Sequence, residues 1–304
     1  MANGTSNGAV MITGTSSGIG RATALYLAGR GHRIFAGVRK ASDADALIAS
    51  GAAGLTPVMI DLTDERSIAA AADQVKQALG TAPLLGLVNN AGIGLGGPVE
   101  FLAAAETRRQ LEVNVVGQLA VMRAFIPMLR GSRGRIVNIS SVGGKAATPF
   151  LAPYCASKFA LEAISDCLRA ELKPWGIGVA VVEPGSVQSS IWDKSRDTVD
   201  EVSRSLPPEG MQLYGERLGQ MGKLIAAQEK MAIPAERVAK VIEHALTARR
   251  PRTRYLVGTD AKLMALFHWL LPDRAYDAVL AIMMRRMSAG APSPSDARPQ
   301  ATHP

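Results

Sequence analysis

The chain predicts a single-domain, doubly wound α/β protein with a parallel sheet of about seven strands and helices on both faces, and three observations lead to that class. Short apolar runs alternate with helix-period segments from residue 8 to about residue 258, the pattern that successive βαβ units leave in a sequence. A glycine-rich turn, Thr13-Gly14-Thr15-Ser16-Ser17-Gly18-Ile19-Gly20, stands where the first run gives way to the first helix. No linker and no internal repeat divides the stretch, so one sheet must hold all of it.

Strands covered on both faces read as near-continuous apolar runs. In order they are Ala9–Thr13, Arg33–Val38, Thr56–Asp61, Leu84–Asn89, Gly134–Ser140, Gly178–Glu183 and Arg254–Val257. The helices between them are Ile19–Gly29, Asp43–Ser50, Asp64–Leu79, Ala105–Leu129, Tyr154–Lys173 and Pro234–Ala248. Residues 1–258 form the domain. Within it, 186–232 are long and weakly patterned, and they follow a strand end. Ligands in open α/β sheets bind beyond the carboxyl ends of strands, so this segment is a candidate lid, the alternative being a surface excursion. Its Leu206, Met211, Leu213, Tyr214, Met221 and Leu224 suit an apolar partner.

Beyond the domain, Leu263, Leu266, Phe267, Leu270 and Leu271 recur at i, i+3, i+4, i+7 and i+8, one apolar helix stripe. Val279, Ile282 and Met283 with Arg285 and Arg286 continue an amphipathic, basic run after Pro272. Residues 259–287 therefore read as an amphipathic extension. It either caps the pocket, packs on the core, or docks on an anionic membrane. Residues 288–304, rich in Ala, Pro and Ser, read as a disordered tail.

Bulk composition narrows the class further. The chain is 47% hydrophobic and 20% charged, ordinary for a globular protein. Cys155 and Cys167 fall on one expected helix, ~18 Å apart, too far to bridge. The four histidines have no metal-ligand spacing, and no metal is expected. Met1–Gly8 lacks the regions of a signal peptide, and the apolar run 263–272 is too short to span a bilayer. A cytoplasmic protein is expected, with peripheral membrane contact through 259–287 as an open addition. Of the net charge of +8, residues 249–287 hold eight Lys/Arg against three Asp, a net +5. That segment is a solvated face or an anion-attracting one. Aromatics make up only 5% and do not interleave with basic residues, so no nucleic-acid partner is expected.

Chemistry concentrates at the strand ends. Gly14, Gly18 and Gly20 let the backbone approach a pyrophosphate while the following helix N-terminus faces the phosphates. The spacing is Gly-x-x-x-Gly-x-Gly rather than Gly-x-Gly-x-x-Gly. After the second strand come Val38, Arg39 and Lys40, where NAD sites often place a carboxylate. The guanidinium of Arg39 suits a 2′-phosphate instead, which favours NADP, with NAD as second choice. Asn89-Asn90-Ala91-Gly92 and Asn138-Ile139-Ser140-Ser141 bring polar groups to the same sheet edge. Tyr154 and Lys158 lie four apart, on one helix face, where an ammonium can stabilise a phenolate.

Together these residues resemble the short-chain dehydrogenase/reductase family over residues 8–258. The likeness rests on Thr-Gly-x-x-x-Gly-Ile-Gly at 13–20, Asn-Asn-Ala-Gly at 89–92, Asn114, Ser141 thirteen residues before Tyr154, and Pro184-Gly185. The resemblance implies a Rossmann fold, an NAD(P)-dependent oxidoreductase and a tetrad of Asn114, Ser141, Tyr154 and Lys158. It implies cofactor contacts from Gly14, Ser16, Ser17, Gly18, Ile19 and Gly20, with Asp61 and Leu62 beside the adenine. Asn90 and Val113 would line the cofactor, Lys158 would hold the nicotinamide ribose, and Val187 and Ser189 would reach the nicotinamide. Two departures stand out: Ser189 where relatives often carry Thr, and Ser17 where many NADP-dependent relatives carry a basic residue. Tyr154 would exchange a proton with the substrate oxygen, Ser141 would hold that oxygen, and Asn114 would hold a water linking Lys158 to solvent. The run Tyr-Cys-Ala-Ser-Lys-Phe-Ala-Leu-Glu at 154–162 is shared with relatives acting on steroids, retinoids and other lipophilic alcohols and ketones, so a small lipophilic carbonyl or alcohol is the expected partner. A homodimer or homotetramer is compatible with all of this. A non-catalytic dinucleotide sensor could share the fold, though it would need no intact tetrad.

Overall fold

The computed structural model of the protein describes residues 8–188 and 202–289, with 283–289 as backbone alone. At its centre, among the described residues, seven parallel strands run in the order β3-β2-β1-β4-β5-β6-β7. They are β1 (Ala9–Ile12), β2 (Arg33–Val38), β3 (Leu55–Met59), β4 (Leu84–Asn89), β5 (Arg135–Ile139), β6 (Gly178–Pro184) and β7 (Arg254–Val257). Each lies within two residues of its expected place. Chain direction reverses its walk across the sheet between β3 and β4, so the ends of β1 and β4 bound a crevice.

Alternation along the strands divides the core. Met11, Phe35, Leu87, Ile136 and Val179 point to one face, where α3 (Glu65–Leu79), α5 (Gln118–Ser132) and α6 (Ala152–Leu172) bury Val75, Phe125, Leu129 and Leu161. Val10, Ile12, Ile34, Val88, Val137 and Val182 point to the other, against α1 (Gly18–Gly29), α2 (Ala41–Ile48) and α8 (Ala235–Thr247). Each such buried side chain stabilises the fold by roughly 1.5–3 kcal/mol. The helix expected at 105–129 is α4 (Ala104–Leu111) running into α5 through a π turn, Glu112–Gly117. Such turns often mark functional positions, and this one holds Asn114.

Of the segment read as weakly patterned, residues 189–201 lie outside the described residues, and most of the remainder is a helix, α7 (Pro208–Met231). Its inner contacts are sparse, Leu218, Met221 and Ile225 at i, i+3 and i+7, so the apolar stripe was too thin to register. Tyr214 fixes it in place: its ring meets Phe101 and Phe150 edge-on at 5.8 and 6.4 Å, and its hydroxyl donates to Glu100 Oε2 at 2.8 Å. Phe150 itself has φ +66°, a conformation rare for an aromatic residue.

Residues 259–287 form two helices, α9 (Thr259–Leu270) and α10 (Asp273–Ala289), on either side of Pro272. Ala261 anchors α9 in the core, but its apolar stripe is not consumed by packing. Leu263, Leu266, Phe267 and Leu270 are 53, 46, 41 and 56% exposed, and Trp269 79%. Met283, Arg285 and Arg286 belong to the backbone-only part of α10, and residues 290–304 of the expected tail lie outside the described residues.

Candidate active site

The glycine turn between β1 and α1 shows why glycine is needed. Gly14 has φ +69°, and a Cβ there would stand 2.7 Å from Ala91 Cα; one on Gly20 would collide with the carbonyl of Gly14. Thr13 and Asn90 lock the turn. Asn90 Nδ2 donates to the carbonyls of Thr13 and Gly14, both at 3.0 Å, while Asn90 N and Ala91 N donate to Thr13 Oγ1. Thr15 Oγ1 donates to Gly37 O at 3.0 Å, tying the turn to β2. Thr13 opens the motif quoted from the sequence, but its bonds to the 90–91 backbone and the tie of Thr15 to β2 could not be read there, since threonine after a strand usually just closes a turn. Ser17 caps α1 without a side-chain bond, which leaves the helix's first amides to an anion. Ser16 is exposed, and Ser17, Gly18 and Ile19 are half-buried. A turn with glycine at 14, 18 and 20, ending at an uncapped helix N-terminus, fits a dinucleotide pyrophosphate.

At the ends of β2 and β3, Arg39 is exposed and close enough to Asp61 to help hold that carboxyl below its usual range, after the larger effect of the Thr63 amide. Asp61 Oδ1 also accepts from Thr63 Oγ1 at 2.7 Å. Leu62 lies in the core, 7% exposed. Val113 is half-buried in the π turn. Val187 is buried and bridges Ile233 in parallel. Ser189 lies outside the described residues.

Helix α6 brings Tyr154 and Lys158 under the turn after β5. The Tyr154 ring packs between Gly94 and Gly143, where even a methyl group would stand 3.8 and 3.4 Å from it. Burial pushes its phenol above 10, and a hydrogen bond with Ser141 pulls the other way. Ser141 is further oriented by accepting from Gly143 N at 3.1 Å. Lys158 is 5% exposed. Its Nζ donates to Ile139 O at 2.9 Å and lies 5.7 Å from the Tyr154 ring centre. Burial lowers its pKa to about 8, opposed by Glu162 one turn further along.

Asn114 is fully buried. Its Nδ2 donates to Ile93 O at 2.8 Å and Ser157 Oγ at 3.0 Å, and its Oδ1 accepts from Ile93 N at 2.8 Å. Both amide protons are thereby committed, and one carbonyl lone pair remains for a water. Gln110 and Gln118 support the same loop, donating to Ile93 O and to Ala91 O at 2.6 Å. Neither signalled itself in the sequence, where a helix glutamine usually faces solvent.

What this sheet edge assembles is a dinucleotide cradle beside a phenol and a buried ammonium, the equipment of a nicotinamide-dependent oxidoreductase. The short chain dehydrogenase family profile matches residues 8–200, and the chain belongs to that family. It is 39% identical over 285 residues to "Retinol dehydrogenase 5" of Mus musculus, covering 91% of this chain and 89% of that one. It is 33% identical over 274 residues to "NADPH-dependent 3-dehydrocapnine reductase" of Ornithobacterium rhinotracheale, covering 88 and 94%. A short chain dehydrogenase from Burkholderia cenocepacia, solved in complex with NADP, superposes with a TM-score of 0.67 at 28% identity, covering 90 and 96%. The protein is an oxidoreductase acting between CH–OH and C=O with a nicotinamide dinucleotide.

Proposed function

We propose that the protein reduces a lipophilic ketone or aldehyde with NADPH, and oxidises the alcohol in the reverse direction, through Asn114, Ser141, Tyr154 and Lys158. The observation that carries this reading is the Ser141–Tyr154–Lys158 arrangement, in which burial keeps the tyrosine protonated at neutral pH. When bound, the dihydronicotinamide supplies the hydride. Tyr154 gives its proton to the substrate oxygen, and Ser141 steadies the charge that develops there. Lys158 spends one N–H on Ile139 O, which leaves two for the ribose and for the phenolate formed after proton transfer. Asn114 holds the Ile93 loop against α6, so the pocket floor stays fixed during turnover.

Support for the substrate class comes from α7, where Tyr214 meets Phe101 and Phe150 in an aromatic cluster. This supports the lid reading of 186–232, and the likeness to a retinol dehydrogenase points to an apolar alcohol or carbonyl. Loss of NADPH absorbance across carbonyls graded from small and polar to long-chain and polycyclic tests the reading. Lipophilic members should turn over fastest; equal rates with small polar ketones would sink it. For the cofactor, Arg39 at the β2 end and the likeness to an NADPH-dependent reductase favour NADPH. Arg39→Ala should then weaken NADPH binding roughly ten- to a hundredfold while NADH changes little. Equal losses would show that Arg39 reads no phosphate.

A second reading concerns location. The α9 stripe faces solvent with Lys262 and Arg274 beside it, an arrangement suited to an anionic membrane in which apolar substrates collect. Residues Ala104–Ser132 are also long and apolar enough to cross a bilayer. Their Val121, Met122, Phe125 and Leu129 are fully buried against the sheet, so that run belongs to the core.

A further inference from the structure

Behind the catalytic helix lies a group of charges that the tetrad does not use. Glu162 on α6 and Glu183 on β6 are 6 and 1% exposed, and both lie between the same two cations. Lys145, on the turn after Ser141, is 3.4 Å from Glu162 Oε2 and 3.6 Å from Glu183 Oε1. Arg254 on β7 puts its Nε 3.0 Å from Glu162 Oε2 and 3.4 Å from Glu183 Oε1. Its second nitrogen pairs with Asp166 at 2.7 Å, and Asp166 is also met by Arg169 at 2.6 Å. From α9, His268 lines the same space. Despite these cations, Glu162 Oε1 and Glu183 Oε1 accept no hydrogen bond. Two buried acceptors without a donor are costly, and one proton shared between the facing carboxyls satisfies both.

We propose that the Glu162–Glu183 pair, clamped by Lys145 and Arg254, is a positioning group for Lys158 that holds it in the ammonium form. Glu162 is one helical turn from Lys158 on the same face of α6, so any charge the pair gains acts directly on that ammonium. A cavity of about 480 Å³ lined by Lys145, Glu183, Arg254, Leu256, His268 and Trp269 reaches Glu183. It gives the shared proton a route to solvent. Burial and the facing Glu162 push Glu183 up to about 7. Above that pH Glu183 is ionised, and the added charge supports the Lys158 proton just where burial would release it, near 8.

The inference rests on Lys158 acting as read above, and the experiment separates the two. The pH dependence of kcat is compared for the parent, Glu183→Gln, Glu162→Gln and Lys158→Met. Each Gln variant keeps a hydrogen-bonding side chain of the same size and removes one charge. The alkaline limb should move down by about half a pH unit or more, a loss of roughly threefold in kcat on that limb. The acid limb should not move. Limbs that coincide with the parent's, with Lys158→Met inactive, overturn the role of the pair alone. Turnover that survives Lys158→Met overturns the site reading, and this inference with it. A titration of the unaltered protein labelled at glutamate carboxyls with ¹³C needs no variant to fold. One carboxyl should titrate near neutral pH, and glutamates that all titrate in the ordinary range near 4–5 overturn the proposal.

Discussion

The hydroxyl of Tyr154 and the ammonium of Lys158 are both held against their own solvation preferences, and each yields a separate prediction. Tyr154→Phe keeps the ring between Gly94 and Gly143 and removes only the oxygen that Ser141 binds. Turnover should fall by about 10²–10⁴-fold, while cofactor affinity, measured by fluorescence titration, stays within about twofold. Half the parent's activity in this variant would remove Tyr154 from its assigned role. Lys158 makes the opposite case, a residue that costs stability. Its folded pKa of about 8 lies below the usual 10.5, so between those values the unfolded chain binds more protons and stability rises with pH. Below pH 8 the folded protein bears the full cost of keeping the buried ammonium charged. Lys158→Met should therefore abolish turnover yet raise stability at pH 7 by about 1–3 kcal/mol. Thermal unfolding at pH 7 and again near pH 10 checks this, since the gain should shrink at the higher pH.

Among the described elements, α9 exposes a run of five large apolar side chains, Leu263, Leu266, Phe267, Trp269 and Leu270. With anionic vesicles at low salt the full-length protein should float, and added salt should release it. Leu266→Ser with Trp269→Ser should stay at the bottom of the gradient. Deleting the helix would be a poorer test, because Asp260 at its start accepts from Ser186 N at 2.7 Å. If the intact chain stays soluble, the membrane reading ends there, and a change in elution volume between parent and variant would point to a second copy as the occupant.

Elements also differ in how plainly the sequence announced them. All seven strands were legible, because a parallel sheet covered on both faces leaves apolar runs such as Ala-Val-Met-Ile at 9–12. Helix α7 was not, since few of its side chains face inward. The glycine turn and the Tyr154/Lys158 spacing were legible because local geometry demands those residues. Lys145, Glu162, Glu183 and Arg254 were not, because each alone resembles a solvated surface charge and only the sheet brings them together.

For the whole molecule, these buried charges give stability an unusual pH profile. Glu183 has its pKa raised from 4.5 to about 7, so the folded state binds more protons across that interval and stability falls as pH rises through it, by roughly 1–3 kcal/mol. Asp61 and Asp166 are shifted the other way, Asp61 chiefly by the Thr63 amide and Asp166 by Arg254, so their contribution is lost as pH falls below the usual carboxylate range. Lys158 restores stability only above about 8. The Tm should peak near ~pH 5, dip between about 7 and 8, and recover in mild alkali, and Glu183→Gln should flatten the first descent. A Tm that climbs from pH 5 to pH 7 would contradict the assignment of Glu183.

The bond between Ser186 and Asp260 also carries a consequence for biosynthesis. The turn after β6 emerges from the ribosome 74 residues before the carboxylate that fixes it, a delay of about 4–15 s at 5–20 residues per second. Arg254, which holds the charges behind Lys158, arrives almost as late. A nascent chain can thus shape the glycine cradle and place its tyrosine early, while the turn after β6 waits for its last partner. Competence for chemistry then waits for residues 254–260, and a chain halted before residue 254 would carry its glycine cradle beside an unfinished active site.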